Sequence, residues 1–169
     1  MNKEKSSVAI LHGECGIIQS KIPAKLLLIG DGPDRSEIEE FARACQTCGE
    51  IKFLGKQEQM EDILPIADLF LLPSEYESFG LAALEAMAAG SPVITSNAGG
   101  LPEIIEQGTC GFMANVADVE SMAQFGIEIL KNDASLANFK KEAKKKAAMF
   151  DIHNIVPQYE KLYERILKN

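Results

Sequence analysis

The chain has 169 residues, enough for one domain with its own core and too few for two. Hydrophobic residues make up 46% and charged residues 25%, a globular balance that excludes a disordered chain. A formal net charge of −8 argues against nucleic acid or an anionic membrane surface as the main partner, and with no secretory signal and no apolar run long enough to span a bilayer, the expectation is a cytoplasmic protein.

Residues 1–24 are expected to form an atypical N-terminal segment. It opens on the polar run Met1 to Ser7, carries Val8-Ala-Ile-Leu11 as a candidate short strand, and contains no convincing long helix. From Lys25 the pattern becomes regular. Leu26 to Ile29 is a continuous apolar run, read as a buried strand, closed by Gly30-Asp-Gly-Pro33. A helix is expected from about Asp34 to Cys48. Gly30-Asp-Gly-Pro-Asp-Arg35 follows a strand and opens a helix, but Arg35 stands where a dinucleotide fingerprint needs its third glycine, so a plain tight turn is the better reading. Cys45-Gln-Thr-Cys48 has redox or zinc spacing, and His12 and Cys15 would complete four ligands. Both cysteines fall at a helix C-terminus, whereas a reactive thiol gains from an N-terminus, so reduced, structurally neutral thiols are expected.

A strand near Ile51 to Leu54 and a helix near Glu58 to Ala67 come next. Leu69 to Leu72 is another short apolar run, ended by Pro73-Ser74-Glu75. A helix is predicted from Gly80 to Ala89, rich in Ala, Leu, Met and Glu, and stopped by Gly90 with Pro92 beyond. The chain therefore turns from a strand end into a helix N-terminus. Unpaired amides and the positive end of the helix dipole suit a phosphate there, and Gly80 lets a ligand approach the backbone. Glu77 stands just before this entrance; Glu85 lies about 7.5 Å beyond Gly80 at about 1.5 Å rise per residue. Carboxylates so placed would accept hydrogen bonds from the hydroxyls of a nucleotide-sugar, Glu77 from the hexose and Glu85 from the ribose. Judged by helix-end charge preference alone, a pair of solvated acids favoured by the helix dipole is the stronger reading.

Pro92 to Thr95 reads as a strand, and Gly99-Gly-Leu-Pro-Glu-Ile-Ile105 as a glycine turn that starts a short helix, with Pro102 in its first turn. A helix from about Asp118 to Lys131 offers Val119, Met122, Ile127 and Leu130 for burial. Lys140, Lys141, Lys144, Lys145 and Lys146 are read as the solvated face of a helix. Ile152 to Leu167 carries Ile155, Tyr159, Leu162, Tyr163 and Ile166 at helical spacing, a stripe that must be buried against something. Strands alternating with helices predict right-handed βαβ units and a parallel sheet covered on both faces.

Glu77-x7-Glu85 with Phe79-Gly80 inside it resembles the signature of the retaining family 4 glycosyltransferases of the GT-B fold. Lys25-Leu-Leu-Leu-Ile-Gly-Asp-Gly-Pro33, Phe53-Leu-Gly-Lys-Gln57, Ala67-Asp-Leu69, Pro92-Val-Ile-Thr-Ser-Asn-Ala-Gly-Gly-Leu-Pro-Glu103 and Gly108-x-x-Gly-Phe112 resemble further blocks of that family's donor-binding domain, in order. The resemblance implies an α/β, Rossmann-like parallel sheet with helices on both faces, one half of a GT-B fold. Residues 25–169 would be the donor (nucleotide-sugar) binding domain, including a terminal helix that crosses toward an N-terminal acceptor domain missing from this chain. Within the family, Ile22 to Pro33 and Phe53 to Gln57 are most similar to the branch that joins N-acetylglucosamine to L-malate in bacillithiol biosynthesis.

By the same resemblance, the donor is a UDP-sugar, with UDP-N-acetylglucosamine favoured. Glu77 is the catalytic position and holds the donor hexose, the amides of Phe79, Gly80 and Leu81 stabilise the diphosphate, and Glu85 binds ribose. The Gly99-Gly100 turn helps wall the donor site, Gly30 and Gly32 lie in the loop on the nucleotide side, and Lys56 and Ser78 complete the substrate-binding set. Retention by same-face attack, the leaving diphosphate oxygen taking the acceptor proton, needs no basic side chain; the chain's two histidines, His12 and His153, lie away from the motif. No cofactor and no metal are expected, since the chain has no Asp-x-Asp pair. One departure stands out. Family members open this domain with a strand and a loop whose Arg and Lys clamp the diphosphate, and residues 1–24 hold no arginine and no such pair, so this chain alone is expected not to turn over. A homo-oligomer is compatible with the sequence. The alternative from another class is a non-catalytic nucleotide-sugar binding or interaction domain that lacks its catalytic partner domain.

Overall fold

The computed structural model describes residues 18, 21–44 and 51–168. Val8 to Leu11, His12, Cys15, Cys45 and Cys48 lie outside them, and with them the candidate first strand and the candidate four-ligand site. In order along the chain are β1 (Leu26–Ile29), α1 (Arg35–Ala44), β2 (Ile51–Gly55), α2 (Met60–Ile63), β3 (Phe70–Leu72), α3 (Leu81–Ala89), β4 (Val93–Ser96), α4 (Leu101–Ile104), β5 (Gly111–Ala114), α5 (Val119–Leu130), α6 (Asp133–Ala148) and α7 (Ile152–Leu167). Every strand pair is parallel, as the alternation of strands and helices predicts. The strands form two hydrogen-bonded sets, β1–β2 and β3–β4–β5.

β4 is the middle strand of the larger set, and all four of its residues are buried. Its two faces look into two cores. Val93 packs with Ala83, Ala86 and Met87 of α3, with Leu101, Ile104 and Cys110, and with Ala143 and Ala147 of α6. Ile94 packs with Ala114, Met122, Ile129 and Phe139. There the Phe112 ring stacks on Phe125 at 4.5 Å and tilts against Phe139 at 5.4 Å, arrangements that add to the area they bury. Because α3 shows alanines where it meets α6, the two helices approach closely, and the α3 entrance is held against a solid core rather than a loop.

Several boundaries differ from the sequence reading. The helix expected over Glu58 to Ala67 is a single α turn, α2, followed by a 3-10 turn over Leu64–Ile66, because Pro65 lacks the amide that would continue the α pattern. Buried positions on α5 are Met122, Ala123, Gly126 and Ile129; Val119, Ile127 and Leu130 are only half-buried. The rotation follows from Gly126, where a Cβ would lie 2.5 Å from the Ile18 side chain, so the helix turns its small residues inward to let Ile18 approach. The helix ends obey local rules. Asp118 accepts from Ser121 N–H at 3.1 Å and Asn132 from Ser135 N–H at 2.8 Å, each satisfying a first-turn amide. Gly90 closes α3 at φ +98, its amide donating to the carbonyls of Ala86 and Met87.

The terminal helix α7 forms where predicted, and none of its residues is buried. Ile152, Val156, Tyr159, Leu162, Tyr163 and Ile166 are exposed along it. Among the described residues, no helix is long and apolar enough to cross a membrane.

Candidate functional site

β3 delivers the chain to the loop 73–80 at the edge of its sheet. The Ser96 hydroxyl, at the end of β4, donates to the Ser74 carbonyl, so the ends of β3 and β4 are tied just before the loop opens. The Glu77 carboxylate then folds back over its own loop. Its Oε1 accepts from the Ser78 amide at 3.1 Å and from the Gly80 amide at 3.2 Å. A carboxylate oxygen thus sits where converging N–H groups favour an anion.

Gly80 is buried and left-handed, at φ +94 and ψ +38. A Cβ there would lie 2.6 Å from Leu101 Cδ2 and 2.9 Å from Ile104 Cδ1, so glycine is required both by conformation and by space. The neighbouring turn closes in from the other side. A Cβ on Gly99 would fall 1.5 Å from the Glu77 carbonyl oxygen, and one on Gly100 would fall 2.7 Å from the Ser78 carbonyl oxygen and 3.0 Å from Phe79 Cα. Glu77, Ser78, Phe79 and Gly80 are therefore brought together with Gly99 and Gly100 in backbone-to-backbone contact. The resemblance implies that these two glycines help wall a donor site; what the structure shows of them is this close packing on the loop backbone.

Behind the loop, α3 begins with Leu81, and its first amides have no partners within the helix. The first turn carries no acid. Glu85 is exposed one turn further in, so neither glutamate is a simple first-turn acid. Tyr76, Phe79 and Leu81 are exposed around the entrance.

The remaining candidate residues form a second group. Gly30, at φ +125, donates its amide to the Gly55 carbonyl at 2.9 Å and so joins the ends of β1 and β2. Beyond that link, Asp31, Gly32 and Lys56 line a solvent-open cavity of about 280 Å³. The Gly32 amide donates to Asp31 Oδ1 at 3.1 Å. Arg35 donates to Glu39 at 2.8 Å and lies 3.7 Å from Asp31; the hydrogen bond to Glu39 is the main cause holding its guanidinium pKa above the ordinary value. Glu77, Gly80 and Glu85 are not among the residues lining this cavity. Each group lies at the carboxyl ends of parallel strands, one after β1 and β2 and the other after β3 and β4, the position where α/β sheets place their ligand crevices.

Two contacts at the site had no counterpart in the sequence reading. One is the Ser96–Ser74 bond, for which a hydroxyl at a strand end next to breaker residues was the only signal. The other is Phe150, whose ring meets that of Phe79 edge-on, at 6.3 Å between centroids and 72° between planes. Nothing in the local pattern marks an aromatic at a helix junction as a neighbour of a loop 71 positions earlier. Cys110 is buried and free. Burial is the main cause raising its thiol pKa, and it is placed to contribute packing rather than reactivity. Among the described residues no three His, Cys, Asp or Glu side chains are grouped to hold a metal ion.

Comparison with known proteins gives this geometry a family. The profile described as "Glycosyl transferases group 1" matches residues 14–146. The chain is 39% identical over 153 residues to the N-acetyl-alpha-D-glucosaminyl L-malate synthase of Bacillus anthracis, covering 90% of this chain and 40% of that protein. It is 31% identical over 142 residues to the 2-deoxystreptamine N-acetyl-D-glucosaminyltransferase of Niallia circulans, covering 82% and 36%. The chain thus spans well under half the length of these relatives. Among solved structures, Anabaena Alr3699/HepE in complex with UDP and glucose superposes with a TM-score of 0.79 at 22% identity, over 96% of this chain and 45% of that one. The pneumococcal O-GlcNAc transferase GtfA in complex with UDP and GlcNAc gives 0.80 at 22% identity, over 99% and 34%. With two parallel strand sets, a glycine-walled loop at a helix N-terminus and a family match over most of its length, the chain belongs to the group 1 glycosyl transferases and has the GT-B type of α/β fold.

Proposed function

We propose that residues 25–169 are the donor-binding domain of a retaining, family 4 glycosyltransferase, and that they bind a UDP-sugar across the start of α3. The observation that carries this reading is the loop 77–80, whose backbone is clamped by the Gly99-Gly100 turn and whose amides converge on a carboxylate oxygen at 3.1 and 3.2 Å. A diphosphate offers the same kind of oxygen with more charge. In this reading Glu77 turns from its own loop to the donor hexose, which frees the Gly80 amide to bind the diphosphate together with those of Phe79 and Leu81, and Glu85 accepts from the ribose hydroxyls. Ser78, Gly30, Gly32 and Lys56 complete the substrate contacts, the last two through the cavity they share with Asp31. The reading takes UDP-N-acetylglucosamine as donor and L-malate as acceptor; the N-acetylglucosaminyl and L-malate parts are supported by the Bacillus anthracis relative, an N-acetyl-alpha-D-glucosaminyl L-malate synthase, and by the wording of Ile22 to Pro33.

The transfer would form a bond from the acceptor oxygen to the anomeric carbon as the bond to the diphosphate breaks on the same face. The departing phosphate oxygen takes the acceptor's proton. In this reading acceptor contacts belong to a further domain; the chain spans 40% of the Bacillus anthracis relative. The helix dipole and loop amides take the part that a divalent cation plays in other glycosyltransferases, so the reading includes no metal.

The test is a calorimetric titration of the chain with UDP. Binding should survive chelation of divalent ions, and Glu85→Ala should weaken it about 10- to 150-fold, the equivalent of about 1.5–3 kcal/mol for hydrogen bonds to a charged acceptor. No UDP binding by the unaltered chain overturns the reading; unchanged affinity in the Glu85 variant overturns the ribose assignment alone.

A further inference from the structure

We propose that Phe150 is a positioning residue for the donor loop, acting through Phe79; the proposal rests on the donor-binding reading above and adds a residue to it. The loop 77–80 is held from three directions. Gly99 and Gly100 press on its backbone, Leu101 and Ile104 lie against Gly80, and Phe150 meets the Phe79 ring edge-on at 6.3 Å. The glycine turn meets the Glu77 and Ser78 carbonyls and Phe79 Cα, and Leu101 and Ile104 close the space beside Gly80. Phe79 itself is 40% exposed, and Phe150 is the aromatic ring that the structure places against its side chain, so this contact limits how far Phe79 and the loop that carries it can move.

Phe150 is well built for that task because it is itself immobilised. It packs on the core cluster that contains Ala143 and Ala147, its amide donates to the Ala147 carbonyl at 2.9 Å, and the Lys146 ammonium stands 5.9 Å from its ring centre. Asn154 Nδ2 donates to the Ala148 carbonyl at 2.9 Å, and Asp151 caps α7 by accepting from the His153 amide at 2.8 Å, so the α6–α7 junction around Phe150 is closed on both sides. Of the aromatic pairs among the described residues, this is the one that reaches the site loop; the other two join Phe112 to Phe125 and Phe139 within the far core. Phe150 thus stands between the donor loop and the start of α7.

The experiment compares Phe150→Ala, Phe150→Tyr and, as a control for lost stability, Phe125→Leu. Two readouts are taken on the folded chain: hydrogen exchange at the amides of Phe79, Gly80 and Leu81 relative to Ile94, and UDP affinity. Phe150→Ala should speed exchange at the three loop amides about tenfold beyond any change at Ile94 and weaken UDP about tenfold. Phe150→Tyr, which keeps the ring, should restore both, and Phe125→Leu should move Ile94 without singling out the loop. Loop exchange that only follows Ile94, or an equal loop effect in Phe125→Leu, overturns the proposal. If the unaltered chain binds no UDP, the donor reading fails, while the exchange comparison still decides the role of Phe150.

Discussion

Gly99 and Gly30 both hold positive φ, +55 and +125, but their surroundings differ. At Gly30 a Cβ would meet nothing within 4 Å, whereas at Gly99 it would lie 1.5 Å from the Glu77 carbonyl oxygen. Alanine at either site stores backbone strain of about 1–3 kcal/mol. At Gly99 the loop must also move, so Gly99→Ala should cost at least about 1 kcal/mol more than Gly30→Ala in denaturant melts with unchanged slope. Equal losses would mean that the loop 77–80 is not clamped. Cys110 provides a second residue-level test. Its thiol is raised from an ordinary value of 9.0, chiefly by burial. Below that value both folded and unfolded chains keep the proton; above it the unfolded chain ionises first, so stability falls as the pH rises through this range. Cys110→Ala should flatten that alkaline decline in thermal melts between about pH 8 and 10.

The elements differ in how far local rules decide them. Asp118→Ala removes the cap of α5 and should cost about 1 kcal/mol, measurable as a shift of the denaturation midpoint. Ile129→Ala, within the buried face of the same helix, should cost about 2–5 kcal/mol. By contrast, Tyr159→Ser and Tyr163→Ser on α7 should each change stability by no more than about 0.5 kcal/mol, because both rings are exposed in this chain. The strand–loop–helix unit from Phe70 to Gly90 was legible because its stop signals are local: Pro73 ends the strand, Gly80 and Gly90 bracket the helix. β5 was not read as a strand, since Gly111-Phe-Met-Ala114 is four residues led by glycine and owes its form to pairing with β4. The buried face of α5 was misjudged for a similar reason. Apolar size pointed to Val119, Ile127 and Leu130, but Ile18 approaches over Gly126, a demand made by a distant residue. Phe150 was invisible to pattern altogether, because its partner is fixed by the packing of α3 on α6.

At the scale of the whole molecule, both candidate groups lie at the carboxyl ends of parallel strands, one after β1–β2 and one after β3–β4. The α/β class follows from the alternation of strands and helices, and the strand–loop–helix turn that holds the candidate site from the Glu77-to-Glu85 stretch, while the split into two hydrogen-bonded strand sets is a tertiary outcome that no run of residues announces. The apolar stripe of α7, expected to be buried, is uncovered here: Ile152, Tyr159, Tyr163 and Ile166 are all exposed. The central claim concerns the start of α3, and amide-resolved NMR during a UDP titration addresses it most directly. The account predicts saturable shifts at Phe79, Gly80 and Leu81 together with Gly99 and Gly100, persisting in the presence of a chelator. Saturable binding that leaves those five amides unmoved would contradict it.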